Sequence, residues 1–257
     1  MGKQRIHLIN GKIPVTTTDK NLLKDYEVDI NSLGSTPNYD LNKVTIQLSP
    51  QDSTKDYNYT ELVKYANILV FAKSGTAKGT ANSITINDVT DKLNFQWCQS
   101  SGQLDSSVIN CTKFIFKNWK LTKATASSMG INLYSDIVRD FDMSGSIITG
   151  TGISVGSSDY DNNYLKTLTL DNVDFSEATS ITIYGIGPST KCSFKNADFG
   201  TYFNNLSYTN KDWSRDTLVQ IINCTHEGTT LPFGDTLKAK LTEADLALAV
   251  SKNITIS

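Results

Sequence analysis

From residue 81 onward, apolar residues return at fixed offsets. The stretch Leu165-Lys-Thr-Leu168-Thr-Leu170-Asp-Asn172-Val173-Asp-Phe175 carries them at its first, fourth, sixth, ninth and eleventh positions. Cys111, Phe114, Phe116, Trp119 and Leu121 take the same offsets. Val138, Phe141, Met143 and Ile148 do so with Ser146 at the ninth, and Cys192, Phe194, Ala197 and Phe199 do so with Ser189 at the first. An earlier copy runs Ala81, Ile84, Ile86 and Val89, with Asp91 where the last apolar residue belongs. Counted from the fourth position, the copies begin at 84, 114, 141, 168 and 192, in steps of 30, 27, 27 and 24.

Each offset has a physical meaning. Positions four and six face the same way on a short strand, with an outward residue such as Asp142 or Thr169 between them. Position eight is Asp88, Asn118, Gly145, Asn172 or Asn196, residue types that tolerate left-handed backbone or close turns. The chain is therefore expected to turn there and return positions nine and eleven to the interior. One copy cannot bury its own apolar face, whereas stacked copies can.

The pattern changes after Phe199. Trp213 to Asn223 predicts a helix with Ser214 as its N-cap and apolar residues at 218, 219, 221 and 222. Leu231 to Leu237 suggests a turn and a short strand. Leu241 to Val250 predicts a helix capped by Thr242, followed by a strand at Ile254 to Ile256. Before residue 81, strands are expected at Asp40 to Ser49 and Tyr65 to Ala72, with a short helix from Thr60 to Asn67 between them. A flexible connection at Lys73 to Thr80 gives a soft boundary. The resulting division is an N-terminal attachment or capping segment (1–80), a repeat region (81–212) and a C-terminal capping unit (213–257). An alternative is that the N-terminal strands are the first members of the stack.

Composition agrees with a mainly β chain with short helices. Asn, Ser and Thr supply 78 of 257 residues, so turns and strand surfaces are uncharged and polar. The formal net charge is −2, which offers no electrostatic footprint for nucleic acid. The most apolar run, Ile68 to Ala72, is far shorter than the roughly 18–20 residues of a membrane span. No secretory signal is read in Met1 to Asn10 and no anchor at the C-terminus. Cys98, Cys111, Cys192 and Cys224 form no metal-binding spacing and are expected as buried small hydrophobes.

Little catalytic chemistry is legible. A β-helix glycosidase needs paired carboxylates on one face, and Asp88, Asp142, Asp171 and Asp174 are the acids that stacking could align. No copy adds a dense acid, His and Lys cluster to them. His7 and the His226-Glu227 pair have no nucleophile motif beside them in sequence. The loop Ser157 to Tyr164 alternates acids and amides of the kind calcium favours, but lacks the glycine and closing glutamate of an EF-hand. Its Asp159, Tyr160, Asp161 and Tyr164, together with Tyr134 and Tyr184, are the candidate contact residues, because tyrosine is favoured at binding surfaces. No catalytic residue, metal or cofactor is expected.

The spacing L-x-x-L-x-L with an apolar eleventh position resembles a leucine-rich repeat. The ending Ala239-Lys-Leu241-Thr-Glu-Ala-Asp-Leu246-Ala-Leu-Ala-Val-Ser-Lys-Asn253-Ile-Thr-Ile-Ser257 resembles the closing segment of BspA-like leucine-rich-repeat proteins. That family occurs in bacterial surface proteins and in phage and prophage structural proteins. The resemblance spans roughly residues 81–257 and departs from the family in two ways. Asparagine stands at position eight instead of nine, and aromatics replace many leucines, which suits slight curvature. It implies a leucine-rich-repeat-like solenoid with a helical C-terminal cap and a non-enzymatic structural or binding role. The expected setting is a bacteriophage virion, with the protein made in the bacterial cytoplasm. The partners implied are other virion proteins or sister subunits through the N-terminal segment, and a host-surface glycan or protein. Neither nucleic acid nor a membrane span is among them. The rival readings are a carbohydrate-active β-helix depolymerase and a bacterial cell-surface adhesin.

Overall fold

The computed structural model describes residues 4–5, 12–15, 26–27, 45–48, 51–60, 68–71, 79–90, 94–95, 104–105, 109–121, 131–134, 137–150, 152–156, 165–201 and 213–257. These residues are mainly sheet, with a few short helices. β1 (Gln4–Arg5) pairs with β3 (Tyr26–Glu27). A four-stranded sheet runs in the order β2 (Lys12–Val15), β4 (Thr45–Leu48), β6 (Ile68–Phe71), β8 (Asn94–Phe95). The largest sheet has six strands in the order β5 (Gln51–Asn58), β7 (Gly79–Thr85), β10 (Ile109–Ile115), β13 (Asp140–Asp142), β16 (Thr167–Thr169), β18 (Lys191–Ser193). Another four-stranded sheet has the order β9 (Leu104–Asp105), β12 (Ile131–Tyr134), β15 (Gly152–Gly156), β17 (Ser180–Tyr184). β11 (Lys120–Leu121) pairs with β14 (Ile147–Ile148), a row that isolated bridges continue through Asp174 to Asp198. All of these pairings are parallel, and strand number rises steadily across every sheet.

The register of the six-stranded sheet reproduces the repeat. Ile84 pairs with Phe114, Phe114 with Phe141, Phe141 with Leu168 and Leu168 with Cys192. These are the fourth positions of successive copies. The sheet also begins one copy earlier than the pattern suggests, because Tyr57 pairs with Ile84. Tyr57 and Tyr59 are both fully buried and stack at 5.8 Å, taking the places of positions four and six. Residue 80 is therefore no edge of the sheet, since β7 spans it and β5 lies on its far side. The expected strands at 40–49 and 65–72 contain β4 and β6. Residues 61–67 of the expected helix lie outside the described residues.

Position eight is left-handed in every copy: Asp88 has φ 59°, Asn118 58°, Gly145 72°, Asn172 55° and Asn196 54°. The amide of each of the first four donates to the carbonyl preceding the corner of the next copy, at Lys117, Ser144, Asp171 and Lys195. The corners thus stack with their backbone groups satisfied. Asn118 donates from its side chain to Asp88, and Asn196 to Asn172, each at 3.1 Å. Both bonds are exposed, so this ladder differs from an interior one. Gly145 interrupts it for a steric reason, since a Cβ there would stand 2.4 Å from the Asn118 Oδ1.

The interior is a continuous aromatic and aliphatic column. Phe114 and Phe116 stack at 5.1 Å, and Phe141 meets each edge-on. Trp119 packs on Phe116 at 5.2 Å and donates from Nε1 to the Ile86 carbonyl at 2.7 Å. Ser146 replaces an apolar residue at position nine because its hydroxyl accepts from the Trp119 amide at 3.0 Å. The bond satisfies a buried amide inside the column.

After Trp213 come α1 (Arg215–Cys224), β19 (Thr230–Leu231), α2 (Gly234–Lys238), α3 (Glu243–Ser251) and β20 (Thr255–Ile256). Ser214 and Thr242 cap α1 and α3 as expected, and Asp245 closes a capping box on Thr242. The segment 231–237 corrects the sequence reading: only its first residue is strand. Gly234 at φ 66° turns the chain into α2, which has Asp235 in its first turn and Lys238 in its last. Leu231 pairs with Ile256 in parallel, and left-handed Gly228 and Asn253 precede the two strands. The corner-and-strand geometry therefore recurs twice more, with α1 ending at the fourth position ahead of Gly228 and α3 covering the fourth to sixth positions ahead of Asn253. Among the described residues, no helix is long and apolar enough to cross a membrane.

Candidate functional site

Of the six candidate contact residues, Asp159, Tyr160, Asp161 and Tyr164 lie outside the described residues. The strand register places the other two together. Tyr134 at the end of β12 pairs with Gly156 at the end of β15, and Gly156 pairs with Tyr184 at the end of β17. The two tyrosines occupy one row with a glycine between them. On β17, Ile181, Thr182 and Ile183 are all buried and Tyr184 is half-buried, so both faces of this strand are covered up to its last residue. The preceding row, Asn132, Ser154 and Thr182, is equally uncharged.

The acids that stacking was expected to align are engaged in local structure. Asp142 accepts from the Ser144 amide at 3.0 Å and from its hydroxyl, and pairs with Lys117 at 2.8 Å. Burial alone would raise its pKa, but the bonds from Lys117 and Ser144 outweigh this and hold the carboxyl below its ordinary value. A carboxyl held ionised is poorly suited to donating a proton to a glycosidic oxygen near neutral pH. Asp174 accepts from the Ser176 amide and hydroxyl at 3.1 and 2.6 Å, and Asp171 from the Lys195 amide at 2.9 Å. Asp88 accepts from Asn118. These carboxylates close turns and tie one copy to the next.

One pair escaped the sequence reading. His226 Nε2 lies 2.8 Å from Asp198 Oδ1, and both side chains are substantially exposed. Asp198 also accepts from the Gly200 amide at 2.9 Å and stands in register with Asp174. The separation of 28 residues is close to a repeat step, which is the signal that could have found it. His7 and Cys98 lie outside the described residues. Cys111, Cys192 and Cys224 are free thiols. Burial pushes Cys111 up to about 12 and the other two up to about 11, so none is poised as a nucleophile. Among the described residues, no group of three or more His, Cys, Asp or Glu is arranged to hold a metal ion.

The positions held together here are thus two tyrosines in one strand row on one sheet and a set of structural carboxylates on another. The chain matches no protein-family model, no curated protein and no solved structure.

Proposed function

We propose that the chain is a leucine-rich-repeat-like solenoid acting as a non-enzymatic structural and binding protein on a phage or prophage virion. The observation that carries the reading is the recurrence of one register. A parallel strand, a left-handed corner and an inward pair return in successive copies, and the corner and pair return twice more beside α1 and α3. Helix and short parallel strand alternating around such a corner are the parts of a leucine-rich repeat. Stacked repeats present long continuous surfaces, and proteins of this build use them for contact. The use of Asp142, Asp171 and Asp174 in turns and cross-ties favours a contact role over the depolymerase. The virion setting rests on the resemblance of Ala239 to Ser257 to the BspA-like closing segment.

The test is physical association with particles. Lysates of the bacterium that makes the protein are fractionated on a density gradient and probed with an antibody against residues 213–257. Co-sedimentation with DNA-containing particles is the expected result. Recovery only among free proteins overturns the virion setting, and recovery on the intact cell surface before lysis favours the adhesin.

A further inference from the structure

We infer that the corner leading into the six-stranded sheet is a contact surface for an acidic polysaccharide, a linear polymer with one carboxylate per sugar, seated along a row of cations. The inference rests on the binding role proposed above and adds a place and a ligand class to it. Four successive copies carry a basic residue at their second or third position: Lys113, Arg139, Lys166 and Lys191. The strand register stacks these corners, because Lys113 pairs with Asp140, Asp140 with Thr167 and Thr167 with Lys191. The backbone ties them together as well. The Arg139 amide donates to the Thr112 carbonyl at 2.8 Å, the Lys166 amide to the Arg139 carbonyl at 2.7 Å and the Lys191 amide to the Lys166 carbonyl at 2.9 Å. Adjacent strands stand about 4.8 Å apart, so the four cations lie along roughly 14 Å of the stack.

Lys113, Lys166 and Lys191 are exposed, and Arg139 is half-buried. Among the described residues, no ion pair engages any of the three lysines. Asp140 is the one acid in these four corners, and it accepts from the Thr167 hydroxyl at 2.6 Å. Beyond Lys113 the row ends at the uncharged Asn82 and Ser83, which both donate to Asp56. Like charges facing each other on neighbouring strands are destabilising, and an anion lying across them removes that cost. The spacing decides between polyanions. Duplex DNA carries one charge per about 1.7 Å of axis, roughly three times the density of this row. No aromatic residue stands in the four corners. They therefore lack the stacking platform that a single nucleic-acid strand uses and the anchor that dominates protein interfaces. One carboxylate per sugar matches the sparse charge, and sugar hydroxyls match the neighbouring side chains. Thr112 and Thr167 donate their hydroxyl protons to the Asn82 carbonyl and to Asp140, which leaves each oxygen as an acceptor for a sugar hydroxyl.

The experiment measures binding of the full chain to alginate, a linear polymer of uronic acids. Dextran serves as the neutral polymer, and poly(glycerol phosphate) and duplex DNA as the other polyanions. Two double variants of equal net charge are compared, Lys166→Gln with Lys191→Gln and Lys120→Gln with Lys195→Gln, and Tm is recorded for each. Lys120 and Lys195 are also exposed but lie outside the row. The expected result is alginate binding that weakens between about 50 mM and about 200 mM salt and falls about tenfold in the first double variant only, with Tm held in both. Lys113→Gln, on a different strand, is expected to weaken binding in the same direction. Equal loss in the two double variants overturns the site, because net charge alone then accounts for the binding. Equally strong binding to dextran overturns the role of charge, and tighter binding to poly(glycerol phosphate) or DNA overturns the ligand class. Binding to none of the four polymers overturns the surface altogether, while the virion setting is decided separately by co-sedimentation with particles.

Discussion

Residues 79–200 and residues 213–257 solve the same problem with different parts. In the first region each strand borrows hydrogen bonds from the strand of the next copy, so the backbone is satisfied between copies. In the second, α1 and α3 satisfy most of their backbone internally, and side chains must finish the joins. The Gln220 amide receives the Phe194 amide proton at 2.9 Å and donates to the Cys192 carbonyl at 3.2 Å, standing in for the strand that would follow β18. Lys252 closes the C-terminus of α1 through the Ile222 and Asn223 carbonyls. Lys240 reaches the Trp213 carbonyl and Lys238 the Ile256 carbonyl. What the two regions share is the left-handed corner and the inward pair after it. The corner is thus the invariant of the repeat, and strand or helix before it is the variable. An edge strand closed by a helix and a glutamine is also protected against pairing with another chain.

The largest effects should come from the shared column. Phe116 and Phe194 are each 2% exposed at position six, one deep in the sheet and one at its junction with α1. Phe116→Ala and Phe194→Ala are each expected to cost about 3–5 kcal/mol, read from urea unfolding midpoints. If only Phe116→Ala does so, the junction is packed more loosely than the sheet, and the second region folds as a separate unit.

The glutamine join gives the next effect. Gln220→Leu keeps the volume but leaves the Phe194 amide and the Cys192 carbonyl without a partner, at a cost of about 1–3 kcal/mol. The loss should fall on β18, whose amides would exchange faster, while those of β10 and β13 hold. Equal acceleration along the whole sheet would mean that α1 and β18 do not form a local joint.

Much of this comparison was legible in the sequence, and the failures have physical causes. The fourth-position ruler was readable because large inward residues such as Phe114, Phe141 and Leu168 have no substitute in a stacked interior. The corners were readable because left-handed backbone restricts residue type to Asp, Asn and Gly. Strand β5 was missed because Gln51-Asp-Ser-Thr-Lys-Asp is wholly polar and only Tyr57 and Tyr59 declare an inward face. The corners at Gly228 and Asn253 were missed because helices precede them and break the strand pattern used as the ruler. Tyr134 and Tyr184 could be chosen by type alone, but their alignment on Gly156 depends on a pairing that no local pattern encodes.

A corner substitution tests the invariant directly. Asn172 sits at φ 55° with its side chain exposed, so the position is governed by backbone and not by burial. Asn172→Val is expected to cost about 1–2 kcal/mol, because a β-branched residue resists left-handed backbone, and Asn172→Gly less. Equal costs would mean that the Asn196 to Asn172 bond, which both variants lose, carries the effect, and the reverse order that the position behaves as an ordinary strand residue.

The smallest effect concerns acid, and it separates the regions by their ion pairs. Asp245 accepts from Arg215 at 2.7 and 2.8 Å and from the Thr242 amide and hydroxyl at 2.8 Å. The Arg215 guanidinium first, and the Thr242 donors after it, hold the carboxyl well below its ordinary value of 3.8. A carboxyl whose pKa is lower folded than unfolded adds stability that is fully present above the unfolded value. That stability is lost as the pH falls through the folded one. The pair between α1 and α3 should therefore hold at neutral pH and weaken progressively below pH 3.8. In Asp245→Asn, the urea midpoint should depend less on pH over that acid range than in the unsubstituted protein, with the two curves diverging at higher pH. Asp142→Asn should flatten the curve in the same direction but less, because burial opposes the bonds that lower its pKa. If Asp245→Asn leaves the acid slope unchanged, the α1 to α3 join depends on packing and not on charge, and the second region is as uniform in its stabilisation as the first.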